Sequence, residues 1–227
     1  MQQSKELEAG WGVLFRRLTA LAERSDPAIW NAIGNMYQNG HGTEINFSKA
    51  MHWFRKAAQS GDARSMASLG FAYLFGKGVK RDPQQAMEWY IQAAEAGDHR
   101  SMIRIGGLYA HRFNLPGEGL KWFLRAAENG HTESYLSLAA LYDDRSSPVY
   151  DPVEAVKWLL MAVEVPDGRN EQAMLALADH YRNGSGVARD LKAAMKWVHR
   201  LLSILPERST RHREASNLLK EMQGGLL

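Results

Sequence analysis

The sequence contains no cysteine. Disulfides, thiolate chemistry and cysteine-based metal sites are therefore excluded. The absence does not choose a compartment, because chains without cysteine suit reducing and oxidising surroundings alike. No apolar run approaches the ~20 residues that a membrane-spanning helix needs. The segment Met1 to Glu8 lacks the basic start and apolar centre of a secretory leader. A native start at Met1 predicts a cytoplasmic protein; a start left by leader removal predicts a periplasmic one. An excess of one charge is missing too: 28 Lys and Arg stand against 25 Asp and Glu, a net charge of +3. A nucleic-acid binder concentrates positive charge on one face, whereas here the signs are mixed along most of the chain. The exception runs from His199 to Arg213 and holds Arg200, Arg208, Arg211, Arg213 and His212. It reads as the solvated face of a helical cap, so neither a nucleic-acid partner nor a membrane span is expected.

What is present is repetition. Tryptophans 53, 89, 122, 158 and 197 follow one another at steps of 36, 33, 36 and 39 residues. Tyrosines 37, 73, 109, 142 and 181 step by 36, 36, 33 and 39. Gly34, Gly70, Gly106, Ala139 and Ala178 each stand three residues before such a tyrosine. Five in-phase recurrences predict an array of helix pairs. A small residue before the tyrosine lets two helices approach. The tyrosines and tryptophans read as large interior fillers with polar tips. Gly61, Gly97 and Gly130 fall where a helix end needs left-handed dihedrals. Asp82-Pro83 and Asp151-Pro152 read as an N-cap followed by proline at the first helical position. Asn46 and Asp190 cap second helices without the proline.

The resulting fold class is all-α, with one domain and no linker. A capping helix in residues 1–26 runs from about Ser4 to Arg24. Residues 27–203 hold five helix pairs, near 27–39/46–60, 63–75/83–96, 99–111/116–129, 132–144/151–164 and 170–183/190–203. Residues 204–227 hold a closing helix from about Pro206 to Met222.

The unit A-x-L-G-x-x-Y-x-x-G-x-G-V-x-x-D-x-x-x-A-x-x-W-Y-x-x-A-A-x-x-G-D resembles the Sel1-like repeat, a relative of the tetratricopeptide repeat. Ala67 to Asp98 carries it best; Ala28 to Asp62 and Met174 to Arg200 carry it well. The third unit replaces the G-x-G-V loop with Arg112 to Gly117, and the fourth with Asp143 to Pro148. The resemblance implies a right-handed α/α superhelix and a non-enzymatic module or adaptor that binds a protein or peptide in its concave groove. Some bacterial relatives are immunity proteins that neutralise secreted toxins. A few cysteine-rich relatives bind or hydrolyse β-lactams. A bacterial toxin or effector is thus one implied partner, and no cofactor is.

In such solenoids the first helices line the groove. With Gly34 and Tyr37 assigned to packing, helical spacing makes Trp30 and Ile33 core, with Met66 and Leu69, Met102 and Ile105, Tyr135 and Leu138, and Met174 and Leu177. The groove then receives Asn31, Asn35, Gln38 and Asn39 from repeat one. Repeat two gives Arg64, Phe71, Leu74 and Phe75. Repeat three gives Arg100, Gly107 and His111, and repeat four Glu133, Asp143 and Asp144. Repeat five gives Gln172, Asp179, Arg182 and Asn183. The carboxamides suit peptide backbone or a carboxylate, or are solvated surface. Phe71, Leu74 and Phe75 predict an aromatic anchor; a phase one position out would instead pack them against neighbouring helices.

Chemistry finds little support. The eight histidines form no His-Glu-x-x-His or His-x-x-x-His pair, and His99 and His131 stand at or beside repeat junctions. Asp143 and Asp144 with Asp179 read as an acidic face before an acid–base site. Ser216 and Lys220 are one residue too far apart for Ser-x-x-Lys. The pairs Gly40/Gly42, Gly76/Gly78 and Gly184/Gly186 follow a helix, which excludes a strand-borne phosphate loop.

Overall fold

The structure, a computed structural model, describes residues 2–22, 26–165 and 170–224, with side chains from residue 9 onward. Among these residues there are twelve α-helices and no strand. They are α1 (Gln2–Leu21), α2 (Pro27–Asn39), α3 (Phe47–Gln59), α4 (Ala63–Phe75), α5 (Pro83–Glu95), α6 (Arg100–Gly107), α7 (Pro116–Glu128), α8 (Glu133–Asp143), α9 (Pro152–Glu164), α10 (Glu171–Asn183), α11 (Leu191–Ile204) and α12 (Thr210–Gly224). The closing helix starts later than expected, because Pro206 to Ser209 form a turn first. The expected end of the first helix, Arg24, lies outside the described residues. The chain divides into two compact units, Met1–Leu108 and Tyr109–Leu227.

Four of the five second helices begin at a side-chain cap, which satisfies amides that a helix N-terminus leaves without partners; α7, preceded by Leu115, has none. Asp82 and Asp151 each accept from two backbone amides at the start of α5 and α9. Asn46 and Asp190 accept from Lys49 and Ala193. Gly61, Gly97 and Gly130 adopt φ of 87°, 96° and 80°.

A second tie recurs in all five repeats. The residue before each second helix donates its amide to the carbonyl of the repeated tyrosine. The bonds run from Asn46 to Tyr37, Asp82 to Tyr73, Leu115 to Tyr109, Asp151 to Tyr142 and Asp190 to Tyr181, each 2.8 Å long. In repeat three this bond spans six residues instead of nine. The shortened connection is met by a π-helical turn over Leu108–Arg112 and by Asn114 at φ 55°. That contraction accounts for the single 33-residue step in each aromatic series.

Ile33, Leu69, Ile105, Leu138 and Leu177 are wholly buried, as the phasing expects. Trp30, Met102 and Met174 are buried, while Met66 and Tyr135 are half-buried. The repeated tyrosines and tryptophans are not interior fillers: all ten are half-buried. The buried second-helix side chain is the one after each tryptophan: Phe54, Tyr90, Phe123, Leu159 and Val198. A Cβ built on Gly34 would lie 2.5 Å from the Phe54 ring, and one on Gly70 would lie 2.9 Å from the Tyr90 ring. In the second unit the small position is alanine, and its counterparts are the smaller Leu159 and Val198. Close approach of the helices is kept by trading volume between the two positions.

Candidate functional site

The first-helix surfaces of the two units carry different chemistry. In the first unit, the Asn35 side-chain amide donates to Asn31 Oδ1 at 2.9 Å, and Asn31 Nδ2 donates to the buried Ser65 hydroxyl at 2.8 Å. The Ser65 amide is itself held by Asp62. Asn31 is therefore spent on joining α2 to α4, and Asn35 is the outer end of the chain. Gln38 and Phe71 line one cleft of about 280 Å³ with Ala67, Ser68 and Arg104. The Phe71 and Phe75 rings lie 4.6 Å apart, centroid to centroid. Phe71 and Leu74 are half-buried, whereas Phe75 is 55% exposed. Asn39, Arg64 and Arg100 are exposed, and Gly107 is partly covered.

In the second unit, Asp143, Asp179 and Asn183 line a cleft of about 260 Å³ with Arg145, Ala176, His180 and Ser185. His180 is only 4% exposed. Its Nδ1 lies 2.8 Å from the Ser185 carbonyl, which can only accept, so that nitrogen is the donor. Its Nε2 then faces the Asp143 carboxylate at 3.5 Å. An adjoining apolar hollow, lined by Leu136, Ala139, Ala140 and Leu159, shares Asp143, Ala176 and His180 and reaches Gln172. Asp144 is exposed and turned to its own loop. It accepts from the Ser146 hydroxyl and amide, which holds its carboxyl below the usual carboxylate range, with a smaller pull from His111. Arg182 faces α12, 3.9 Å from Glu221. His111 and Glu133 are exposed.

Five polar cleft-lining residues were not read from the sequence: Ser68, Arg104, Arg145, His180 and Ser185. Ser68 and Arg104 each stand two positions before the repeated glycine, a position the helical phasing passed over. His180 stands two after Ala178, where the other repeats place the buried Met36, Ala72, Leu108 and Leu141. A polar residue in an otherwise apolar register was the available signal. Arg145 and Ser185 are on loops, which no helical period describes.

Among the described residues no group of three or more His, Asp or Glu is placed to hold a metal ion. No helix of the described chain is long and apolar enough to cross a membrane. Ser216 bonds to the His212 carbonyl within α12, as a helix-interior serine does.

A model of the Sel1 repeat matches residues 31–62, 63–98, 100–131, 132–164 and 171–201. These stretches fall on the five helix pairs, and the chain belongs to the Sel1 repeat family. Such repeats form a protein-interaction fold that is generally non-enzymatic. Among solved structures, a Sel1 repeat protein from Oxalobacter formigenes is 26% identical, with a TM-score of 0.71 over 97% of this chain and 98% of that one. A protective antigen of uropathogenic Escherichia coli with the same fold is 23% identical, with a TM-score of 0.61; the match covers 85% of this chain and 49% of the antigen. An immunity protein from Pseudomonas aeruginosa is 17% identical, with a TM-score of 0.52 over 86% and 74%. No curated protein matches the chain significantly.

Proposed function

We propose that the protein is a non-enzymatic interaction module that holds a protein or peptide partner against its first-helix surfaces. The observation that carries this reading is the Phe71–Phe75 pair. A ring 55% exposed, tilted against a second ring that lines a cleft, leaves apolar area in water that a partner would remove. Aromatic anchors with polar neighbours are the usual energetic centre of an interface. Affinity capture from extract of the native cell tests it, with the unchanged chain and a Phe71→Ser/Leu74→Ser/Phe75→Ser variant compared by quantitative mass spectrometry. A defined partner retained by the first and lost by the second supports the reading. Equal retention by a folded variant contradicts it.

A second reading makes the partner a secreted toxin, with this chain as the immunity protein that covers its active site. The acidic residues Asp143 and Asp179 beside the apolar hollow of the second unit favour it, as a surface that could plug a basic catalytic cleft. Co-expression with the product of a neighbouring toxin-like reading frame tests it by growth rescue. Continued growth arrest counts against it.

A further inference from the structure

We propose that the α2–α4–α6 surface of the first unit recognises an acidic peptide segment that carries an apolar anchor residue. The inference rests on the interaction-module reading and names the chemistry of its partner. The three helices contain no Asp or Glu, yet they carry Arg64, Arg100 and Arg104, all exposed. Arg100 and Arg104 are four residues apart, so they stand one above the other on one helical face. Arg64 and the cleft-lining Ser68 have the same spacing.

The carboxylates that precede α4 and α6 do not pair with these arginines. Asp62 accepts from the Ser65 amide at 2.8 Å. Asp98 accepts from the Ser101 amide and hydroxyl at 3.1 and 2.5 Å. Both are committed to the positive ends of their helices. Among the described residues none of the three arginines takes part in an ion pair; Arg104 lies over the Tyr90 ring, 5.9 Å from its centroid. The surface thus offers bidentate cationic forks, which match carboxylates in shape and charge. Between them, Gln38 can meet peptide backbone, and Phe71 with Phe75 can take an apolar side chain. Phosphate of a nucleic acid is the competing anion. Three arginines without a lysine on these helices, in a chain of net charge +3, make a weak phosphate track, and the carboxamide and aromatic groups suit a peptide.

The test is selection of a phage-displayed random dodecapeptide library on the full chain. Enriched peptides are then labelled and titrated by fluorescence anisotropy. Enrichment of peptides with Asp or Glu beside Leu or an aromatic residue is expected. Affinity should fall about tenfold or more in Arg64→Glu/Arg100→Glu and in Phe71→Ser/Phe75→Ser, and stay unchanged in Lys192→Glu, an exposed change on α11. Circular dichroism checks each variant for helicity, and Arg104→Gln replaces the double charge variant if that one misfolds. Neutral or basic peptides that still depend on Phe71 and Phe75 overturn this inference and leave the interaction-module reading standing. Failure to enrich, or peptides indifferent to every variant, overturns both. Displacement of a bound peptide by a single-stranded RNA oligonucleotide that itself binds at physiological salt overturns the inference in favour of nucleic acid.

Discussion

The two units solve one packing problem with different pairs of residues and then wear different surfaces. In the first unit glycine faces a ring, Gly34 against Phe54 and Gly70 against Tyr90. In the second, Ala139 and Ala178 share a core with Leu159 and Val198. Outside, α2, α4 and α6 show arginine, carboxamide and phenyl groups. By contrast, α8 and α10 show Asp143 and Asp179, with the buried His180 behind them. Interior volume is exchanged between partners, with a smaller side chain opposite each alanine, and the first-helix surface is free to change sign. Architecture and recognition are carried by separate positions.

The sharpest way to break that separation is to force unequal volumes together. Gly70→Leu should cost roughly 4 kcal/mol or more, because its side chain must enter the Tyr90 ring and overpacked buried sites rarely relax. Importing the second unit's solution should be milder. Gly70→Ala alone should cost about 1–3 kcal/mol, and Tyr90→Leu alone about 2–4 kcal/mol through the cavity it leaves. Gly70→Ala/Tyr90→Leu together should cost at least about 1 kcal/mol less than the two combined. Urea denaturation reads all four chains, and strict additivity would rule out compensation.

Alkali separates the units next. Burial pushes the Tyr90 hydroxyl up to about 12, partly offset by Arg104. The folded state therefore keeps this proton more tightly than the unfolded chain. The associated stability is complete below pH ~10 and drains away as pH rises towards 12, by roughly 2 kcal/mol. Leu159 and Val198 cannot titrate, and the second unit's Tyr142, raised by burial and by Glu154 and Asp151, is less enclosed than Tyr90. Corrected for the intrinsic base-catalysed rate, amide protection in α4 and α5 should therefore fall at alkaline pH before that in α9 and α11. Tyr90→Phe should remove the difference. The smallest effect expected on the fold is that of Phe75→Ser: a shift within about 0.5 kcal/mol, as for an exposed position, beside a clear loss of partner binding. A large stability change with unaltered binding would assign Phe75 to packing.

Much of this architecture was legible because repetition multiplies a weak signal by five. Helix positions, caps and the buried Ile33 series follow from period and capping chemistry. The half-buried state of the tyrosines and tryptophans did not. A large aromatic reads as core in any single repeat, and only geometry shows that the following residue, Phe54 or Tyr90, takes the interior. The π-helical turn of Leu108–Arg112 was hidden for a related reason: spacing records that three residues are missing, not how the backbone takes up the slack. On the surface, Gln38, Phe71, Asp143, Asp179 and Asn183 were found by phase. Arg182 faces α12, and Asn31 bonds to Ser65, because a period gives direction and says nothing of which neighbour is within reach.

The loop glycines have one more consequence. A Cβ on Gly78 would meet the Phe47 main chain at 2.7 Å, and one on Gly186 would lie 2.0 Å from the Pro152 carbonyl oxygen. Gly42 stands likewise against the main chain of Trp11 and Gly12 in α1, which takes the place of a preceding second helix. What each glycine meets is peptide backbone, which every residue type supplies. The loop contact between successive repeats is therefore blind to side-chain identity, which removes one of the matches that a duplicated, deleted or recombined helix pair would have to make next door; the Asn31–Ser65 bond and the shared cores are the matches that remain. Repeats three and four, which lack the glycine loop, would be the poorest currency for such exchange.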